Sequence, residues 1–179
     1  MPATTIETPR LLLRGWIDED LEHWMAMHED PRVVEFFPVT TRERLLAQAA
    51  RMRERLVIDG YGWWVAQLKA TGEFAGVFPL QEVPFQAKFT PAYEIGWRLP
   101  VEMWGNGYAT EGAQAIIGFA RDRLGLHQVV AMTAVLNERS QRVMQRLGMT
   151  RDPRDDFDHP RIEPGNPLRP HVLYRLRLR

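Results

Sequence analysis

The residues from Met103 to Glu111, Met103-Trp104-Gly105-Asn106-Gly107-Tyr108-Ala109-Thr110-Glu111, combine glycines and polar groups in a pattern that could hold an anion. A strand-like run from Tyr93 to Leu99 precedes them. Ala109, Ala113, Ile116, Ile117, Ala120 and Leu124 follow at helical spacing. A glycine pair between a strand and a helix N-terminus can turn several backbone N–H groups toward one point, and the helix dipole adds positive potential there. Such a site suits a phosphate or pyrophosphate. Two common nucleotide motifs fail on single residues. The dinucleotide fingerprint G-x-G-x-x-G meets Thr110 at its sixth position, and the P-loop spacing of Gly107 and Gly112 is followed by Ala113 where lysine is needed. A plain turn before a helix is the alternative for the loop taken alone.

A second motif follows the strand-like run Val129 to Val135. It reads Asn137-Glu138-Arg139-Ser140, then Val143-Met144-Gln145-Arg146-Leu147-Gly148-Met149. Taken in order, Trp104-Gly-Asn-Gly-Tyr-Ala-Thr-Glu111 and Asn137-x-x-Ser140-x-x-Val143-Met144-x-x-Leu147-Gly148-Met149 resemble the GNAT superfamily of acetyl-CoA-dependent N-acetyltransferases. The closer resemblance is to the branch containing the ribosomal-protein N-terminal (alanine/serine) acetyltransferases. Thr8-Pro9-Arg10-Leu11-Leu12-Leu13-Arg14 resembles that branch's first strand.

The resemblance implies acetyl-CoA as co-substrate and assigns roles residue by residue. Trp104, Gly105, Asn106, Gly107, Tyr108, Ala109 and Thr110 form the pyrophosphate loop, with Glu102 standing where the family has Gln or Arg. Asn137 contacts the pantetheine arm; a strand-end or helix-cap role is its alternative. Strand amides, by spacing those of Trp97 and Leu99, hold the pantetheine and the thioester oxygen, and a preset amide can contribute roughly 3 kcal/mol. Glu94, flanked by Tyr93 and Ile95, is the candidate base, because burial raises a carboxylate's pKa toward useful values. Glu82, His23 and a route through solvent are the alternatives. Many members place a Tyr acid seven residues after the Asn, where this chain has Met144. Ser140 is then the only hydroxyl near the expected thiolate, with a plain helix-surface serine as its other reading.

Those residues need a scaffold. The chain has 179 residues, 45% of them hydrophobic, so a single domain over 1–179 is expected. Strand patterns at 10–16, 62–68, 74–80, 92–99, 128–135 and 171–178 alternate with helical ones at 19–29, 42–58, 107–124 and 138–147. Asp18 and Thr41 are candidate N-caps of the first two helices. The order βααβββαβα with a closing strand predicts an α+β fold with a mixed, mostly antiparallel sheet flanked by helices, which is the GNAT-like arrangement. The segment 150–170, rich in proline and charge, reads either as a loop shaping the substrate mouth or as a connector.

Composition narrows the function further. The charges balance at 23 basic and 23 acidic residues, which disfavours non-specific nucleic-acid binding. Arg42, Arg44, Arg51, Arg53 and Arg55 read as a solvated helix face. With no cysteine there is no disulfide, no thiol nucleophile and hence no thiol acyl-enzyme. No apolar run reaches membrane-spanning length and the first residues lack a signal core, so a cytoplasmic protein is expected. His23 and His28 lie five residues apart, off the spacing of a helical metal pair, and Asp156-x-Asp158-His159 reads as a solvated loop, so no metal is expected.

The acceptor is an amine-bearing substrate, either a peptide N-terminus or a small amine. Phe36, Phe37, Trp63, Trp64, Phe78, Phe85, Tyr93 and Trp97 make the domain rich in aromatics; most are expected in the core, and a few near the loop could form the acceptor pocket. Glu35, Glu82 and Asp155 to Asp158 could attract a cationic amine. A CoA-binding or sensing module without catalysis is the competing function. Homodimers are common in look-alike families, and no interface is legible in this sequence.

Overall fold

The computed structural model describes residues 4–179; residues 1–3, the head of the N-terminal stretch read above, lie outside them. The elements run β1 (Ile6–Glu7), β2 (Leu11–Arg14), α1 (Asp20–Glu29), α2 (Pro31–Val34), α3 (Arg42–Asp59), β3 (Trp63–Leu68), β4 (Phe74–Glu82), β5 (Tyr93–Ile95), α4 (Tyr108–Asp122), β6 (Gln128–Ala134), α5 (Glu138–Arg146), β7 (Thr150–Arg151), β8 (Phe157–Asp158) and β9 (Pro170–Arg177). The sheet order is β1-β2-β3-β4-β5-β6-β9-β7, with β8 also on β9. Every pairing is antiparallel except β5 with β6, which α4 joins as a crossover. The predicted mixed, mostly antiparallel α+β sheet is what forms.

The core centres on β4. Phe74 to Leu80 are all buried, as expected of a strand covered on both faces. Alternation along β3 sends Trp63 toward Trp24 of α1 and Trp64 toward Phe119 of α4. Helix α4 lies so close to β4 that a Cβ on Gly112 would sit 2.4 Å from the Phe78 ring. Trp24, Trp64 and Phe78 are fully buried, each contributing about 1.5–3 kcal/mol by leaving water.

Several boundaries differ from the sequence reading. Asp18 does not cap α1. Its carboxylate pairs with Arg53, and the helix begins after Glu19 without a side-chain cap. Asp20 is buried instead, bridged by the Arg14 guanidinium at 2.7 Å. Asp30-Pro31 ends α1 and starts α2, because Asp30 caps the Arg32 amide and proline suits a first helical position. Thr41 caps α3 as expected, and that helix's arginines face solvent. The strand expected over 92–99 is regular only from Tyr93 to Ile95. The segment 150–170 is not a bare connector, since β7 and β8 within it pair with β9.

The shortness of β5 is what opens the site. Beyond Ile95 the chain stays on β4: Gly96 N–H donates to Pro79 O, and Arg98 exchanges hydrogen bonds with Val77 at 2.8 and 2.9 Å. Strand β6 instead stays on β9 from Gln128 to Ala134, and its pairing with β5 is confined to Val130 opposite Glu94. The sheet therefore splits between residues 96–99 and the C-terminal half of β6.

Candidate active site

Gly105 and Gly107 adopt φ values of 76° and 82°, the left-handed region in which other residues are strained. This curls the loop so that its amides face the same way as the first turn of α4. The first intrahelical bond of α4 is Glu111 N–H to Gly107 O. Among the described residues, the amides of Gly105, Asn106, Gly107, Tyr108, Ala109 and Thr110 find no acceptor, and no side chain caps the helix. A helix end left so open is a ready anion site. The loop is held from β2's entry. Arg10 donates through Nη1 to Asn106 O at 2.9 Å and through Nε to Glu111 at 2.6 Å, and Thr8 Oγ1 donates to Glu111 at 2.6 Å. Burial raises the Glu111 carboxyl, but these hydrogen bonds and the Arg10 charge outweigh it and hold it below the ordinary carboxylate range.

A cavity of about 510 Å³ runs from this loop to the split in the sheet. Trp97, Leu99, Trp104, Gly105, Gly107, Tyr108, Ala109, Thr110, Asn137 and Ser140 line it, so nearly all the expected cofactor residues meet in one place. Asn106 stands outside the lining. Its side chain bonds back to Trp104 O, which leaves its amide as its contribution. At the split, Gly96 and Arg98 direct their amides to β4, so by strand alternation those of Trp97 and Leu99 point to the open side. Among the described residues these two amides have no acceptor. Arg146, which the sequence reading did not single out, adds positive charge to the same cavity; Arg32 and Arg142 also line it but are paired with Asp30 and Glu138. Uncapped amides, free strand amides and cations together fit a CoA-type ligand, with its polyphosphate at the loop and its extended arm along the split.

Asn137 takes the helix-cap role and also lines the cavity. Its Oδ1 caps α5 by accepting the Ser140 amide at 3.2 Å, and its Nδ2 donates to Thr133 Oγ1 at 2.9 Å and to Ser140 Oγ at 3.1 Å. Both amide protons are thus committed within the protein, leaving only Oδ1 for a further contact. Ser140 Oγ, already an acceptor, keeps its own proton, and no described residue accepts it. Met144, in the place of the family's Tyr, is buried.

A second cavity, about 390 Å³, meets the first at Phe37, Trp97, Arg98, Asn137 and Ser140. Glu94 lines it. Its carboxylate accepts from Gln81 Nε2, which in turn stands opposite it on β4. Burial pushes the Glu94 carboxyl up, and the Gln81 hydrogen bond and the Arg161 charge only partly oppose this. Phe36, Trp63 and Phe85 also line this cavity, whereas Trp64 and Phe78 belong to the core. Strand β9 folds the segment 150–170 back over the opening, so that His159, Arg161 and Ile162 line it too.

Several acceptor-side residues were missed by sequence reasoning. His159, Arg161 and His171 were hidden because their approach depends on the long-range pairing of Phe157 with His171. Arg98 had a signal. It is the lone cation in an apolar run, on the same strand face as Glu94. Most of the acidic residues offered as lures for a cationic amine are paired with arginines. Glu35 pairs with Arg139, Asp155 with Arg175, Asp156 with Arg151 and Asp158 with Arg169.

The fold agrees with comparisons to known proteins. A family model described as an acetyltransferase (GNAT) domain matches residues 10–150. FsC-acetyl coenzyme A-N(2)-transacetylase of Aspergillus fumigatus is 33% identical over 154 residues, a match covering 82% of this chain but 65% of that protein, slightly under two thirds of its length. An acetyltransferase structure from Agrobacterium tumefaciens superposes with a TM-score of 0.79 at 25% identity, covering 99% of this chain and 96% of the other. RimL, a ribosomal-protein α-N-acetyltransferase in complex with coenzyme A, shares the fold with a TM-score of 0.74 at 17% identity over 98% of each chain. The chain belongs to the GNAT acetyltransferase family, whose members are acetyl-CoA-dependent acyltransferases.

Proposed function

We propose that the protein transfers the acetyl group of acetyl-CoA to a primary amine by direct attack, with both substrates bound together. The observation that carries this is the split in the sheet, which leaves the Trp97 and Leu99 amides free where the two cavities join. Acetyl-CoA, when bound, supplies an activated thioester. The loop amides from Gly105 to Thr110 hold its pyrophosphate, and the arginines of the cavity screen the remaining negative charge. The free strand amides orient the pantetheine and donate to the thioester oxygen, where negative charge develops as the amine attacks.

Glu94 takes a proton from the amine, directly or through one water, as the C–N bond forms. Its raised pKa moves it toward the operating pH, the condition under which a base is most effective. Ser140 donates its free proton as a hydrogen bond to the sulfur as the C–S bond breaks. The acceptor is a peptide N-terminus or a small amine.

Release of CoA thiol in the presence of an amine panel tests this reading without background, since the protein has no cysteine of its own. Wild-type protein should release thiol only when an amine is present. Glu94→Gln should lower kcat by about 10²–10⁴-fold and leave acetyl-CoA binding intact. The acid limb of the wild-type pH–rate profile should disappear in that variant. A folded Glu94→Gln protein with the wild-type rate and profile would remove Glu94 from the mechanism.

A further inference from the structure

The charge around the acceptor cavity is the reverse of what the sequence suggested. The acidic residues Glu35, Asp155, Asp156 and Asp158 are each neutralised by an arginine, and Glu82 accepts from Tyr93 Oη at 3.1 Å. Two cations facing the cavity form no ion pair, although the Arg161 charge acts on Glu94 across it. Among the described residues, no carboxylate forms a salt bridge with Arg98 or Arg161.

Arg98 is the more telling of the two. It lines both cavities at their junction, beside the free amides of Trp97 and Leu99. Its guanidinium lies 3.7 Å from the centre of the Phe37 ring and 5.5 Å from that of Trp24. Its one side-chain partner is His28 Nε2 at 2.6 Å. His28 Nδ1 lies 2.7 Å from Trp24 O, which can only accept, so Nδ1 carries the proton and Nε2 is a neutral acceptor for Arg98. Among the described residues, Arg98 Nε is buried and has no hydrogen-bond partner. Burial lowers the Arg98 pKa to about 10, still far above neutrality, so the charge persists.

A buried cation with an orphaned donor is costly, and replacing it with an apolar side chain would ordinarily be neutral or stabilising. An anionic ligand that pairs with the part of the guanidinium open to the cavity would offset that cost. A guanidinium fork matches a carboxylate in plane and spacing. Arg161, 5.9 Å from the Phe85 ring centre and bonded through Nη2 only to Pro84 O, adds a second cation to the same cavity.

Resting on the acetyltransferase reading, we propose that the acceptor is an amine that also carries an anionic group, of carboxylate type, seated at Arg98. A polyamine would meet two arginines that form no ion pair and is disfavoured. Arg98 is then a specificity residue, and the aromatic walls hold the acceptor's carbon frame.

The test uses matched probes titrated into the intact protein saturated with CoA: phenylacetate against phenylacetamide, and 6-aminohexanoate against its amide, with spermidine as a third arm. The carboxylate of at least one pair should bind about tenfold tighter than its amide or more, as a charge-assisted bond to a buried guanidinium implies. Arg98→Met should bring that ratio close to one without lowering the melting temperature. A preserved ratio in folded Arg98→Met, amides equal to carboxylates in both pairs, or spermidine binding more tightly than either carboxylate would overturn the proposal. Should Arg98→Met fail to fold, Arg161→Gln carries the test, and its ratio must also fall. Failure of CoA to bind would overturn the acetyltransferase reading together with this proposal; CoA binding without a carboxylate preference overturns this proposal alone.

Discussion

The role proposed for Ser140 depends on its neighbour. Asn137 Nδ2 fills one lone pair of the serine hydroxyl, so the proton is left pointing to an outside acceptor. A hydrogen bond to a charged group contributes about 1.5–3 kcal/mol, so Ser140→Ala should lower kcat roughly tenfold to hundredfold with little change in the KM for acetyl-CoA. Stopped-flow thiol release would measure this, and an unchanged kcat would leave Ser140 as a plain helix residue. At this scale the sequence was informative about identity and silent about partners. Asn137 and Ser140 stood out by spacing, yet the cap role of Asn137 and its bonds to Thr133 and Ser140 depend on the fold. Arg161 escaped notice because its place at the cavity depends on three-dimensional surroundings, whereas Arg98 had a signal in its place on the strand and lacked only a visible reason for it.

Among the elements, α4 and β4 carry the site. Helix α4 can bring its N-terminus to the cavity only because Gly112 lets the Phe78 ring approach its backbone. Gly112→Ala would place a methyl group 2.4 Å from that ring. Overpacking of this kind costs about 1–3 kcal/mol, and each kcal/mol lowers Tm by about 2–4 °C in a domain of this size. Thermal denaturation should show that fall, and affinity for acetyl-CoA should weaken with it as the helix shifts. Helices and the β3–β4 hairpin were legible because their periodicity and turn residues are local. The length of β5 was not, since the run from Tyr93 to Leu99 reads as one strand and the split depends on β6 pairing with β9 rather than on the run's own composition.

At the scale of the whole molecule, buried histidines set the response to acid. Burial, with the nearby Arg98 charge, lowers the His28 pKa from 6.5 to about 4. Burial, with His171 and Arg161 nearby, lowers that of His159 to about 4 as well. Between those values the unfolded chain binds protons that the folded chain does not, so stability falls as pH drops from 6.5 toward 4. Tm measured across that window should decline, and His28→Gln should make the decline shallower; a flat profile in wild-type protein would contradict the assignment of His28 as neutral. The overall architecture was readable from element order and from the two motifs together. The return of residues 150–170 over the acceptor cavity was not, because it is written in pairings with β9 rather than in local pattern.

The most direct test of the account is calorimetric titration of wild-type and Gly107→Val protein with acetyl-CoA, using NAD as comparator. A valine at φ 82° cannot keep the loop amides aligned. The account predicts that wild-type protein binds acetyl-CoA and not NAD, and that folded Gly107→Val binds acetyl-CoA at least about tenfold more weakly. Absence of acetyl-CoA binding by folded wild-type protein, or undiminished binding in Gly107→Val, would contradict it.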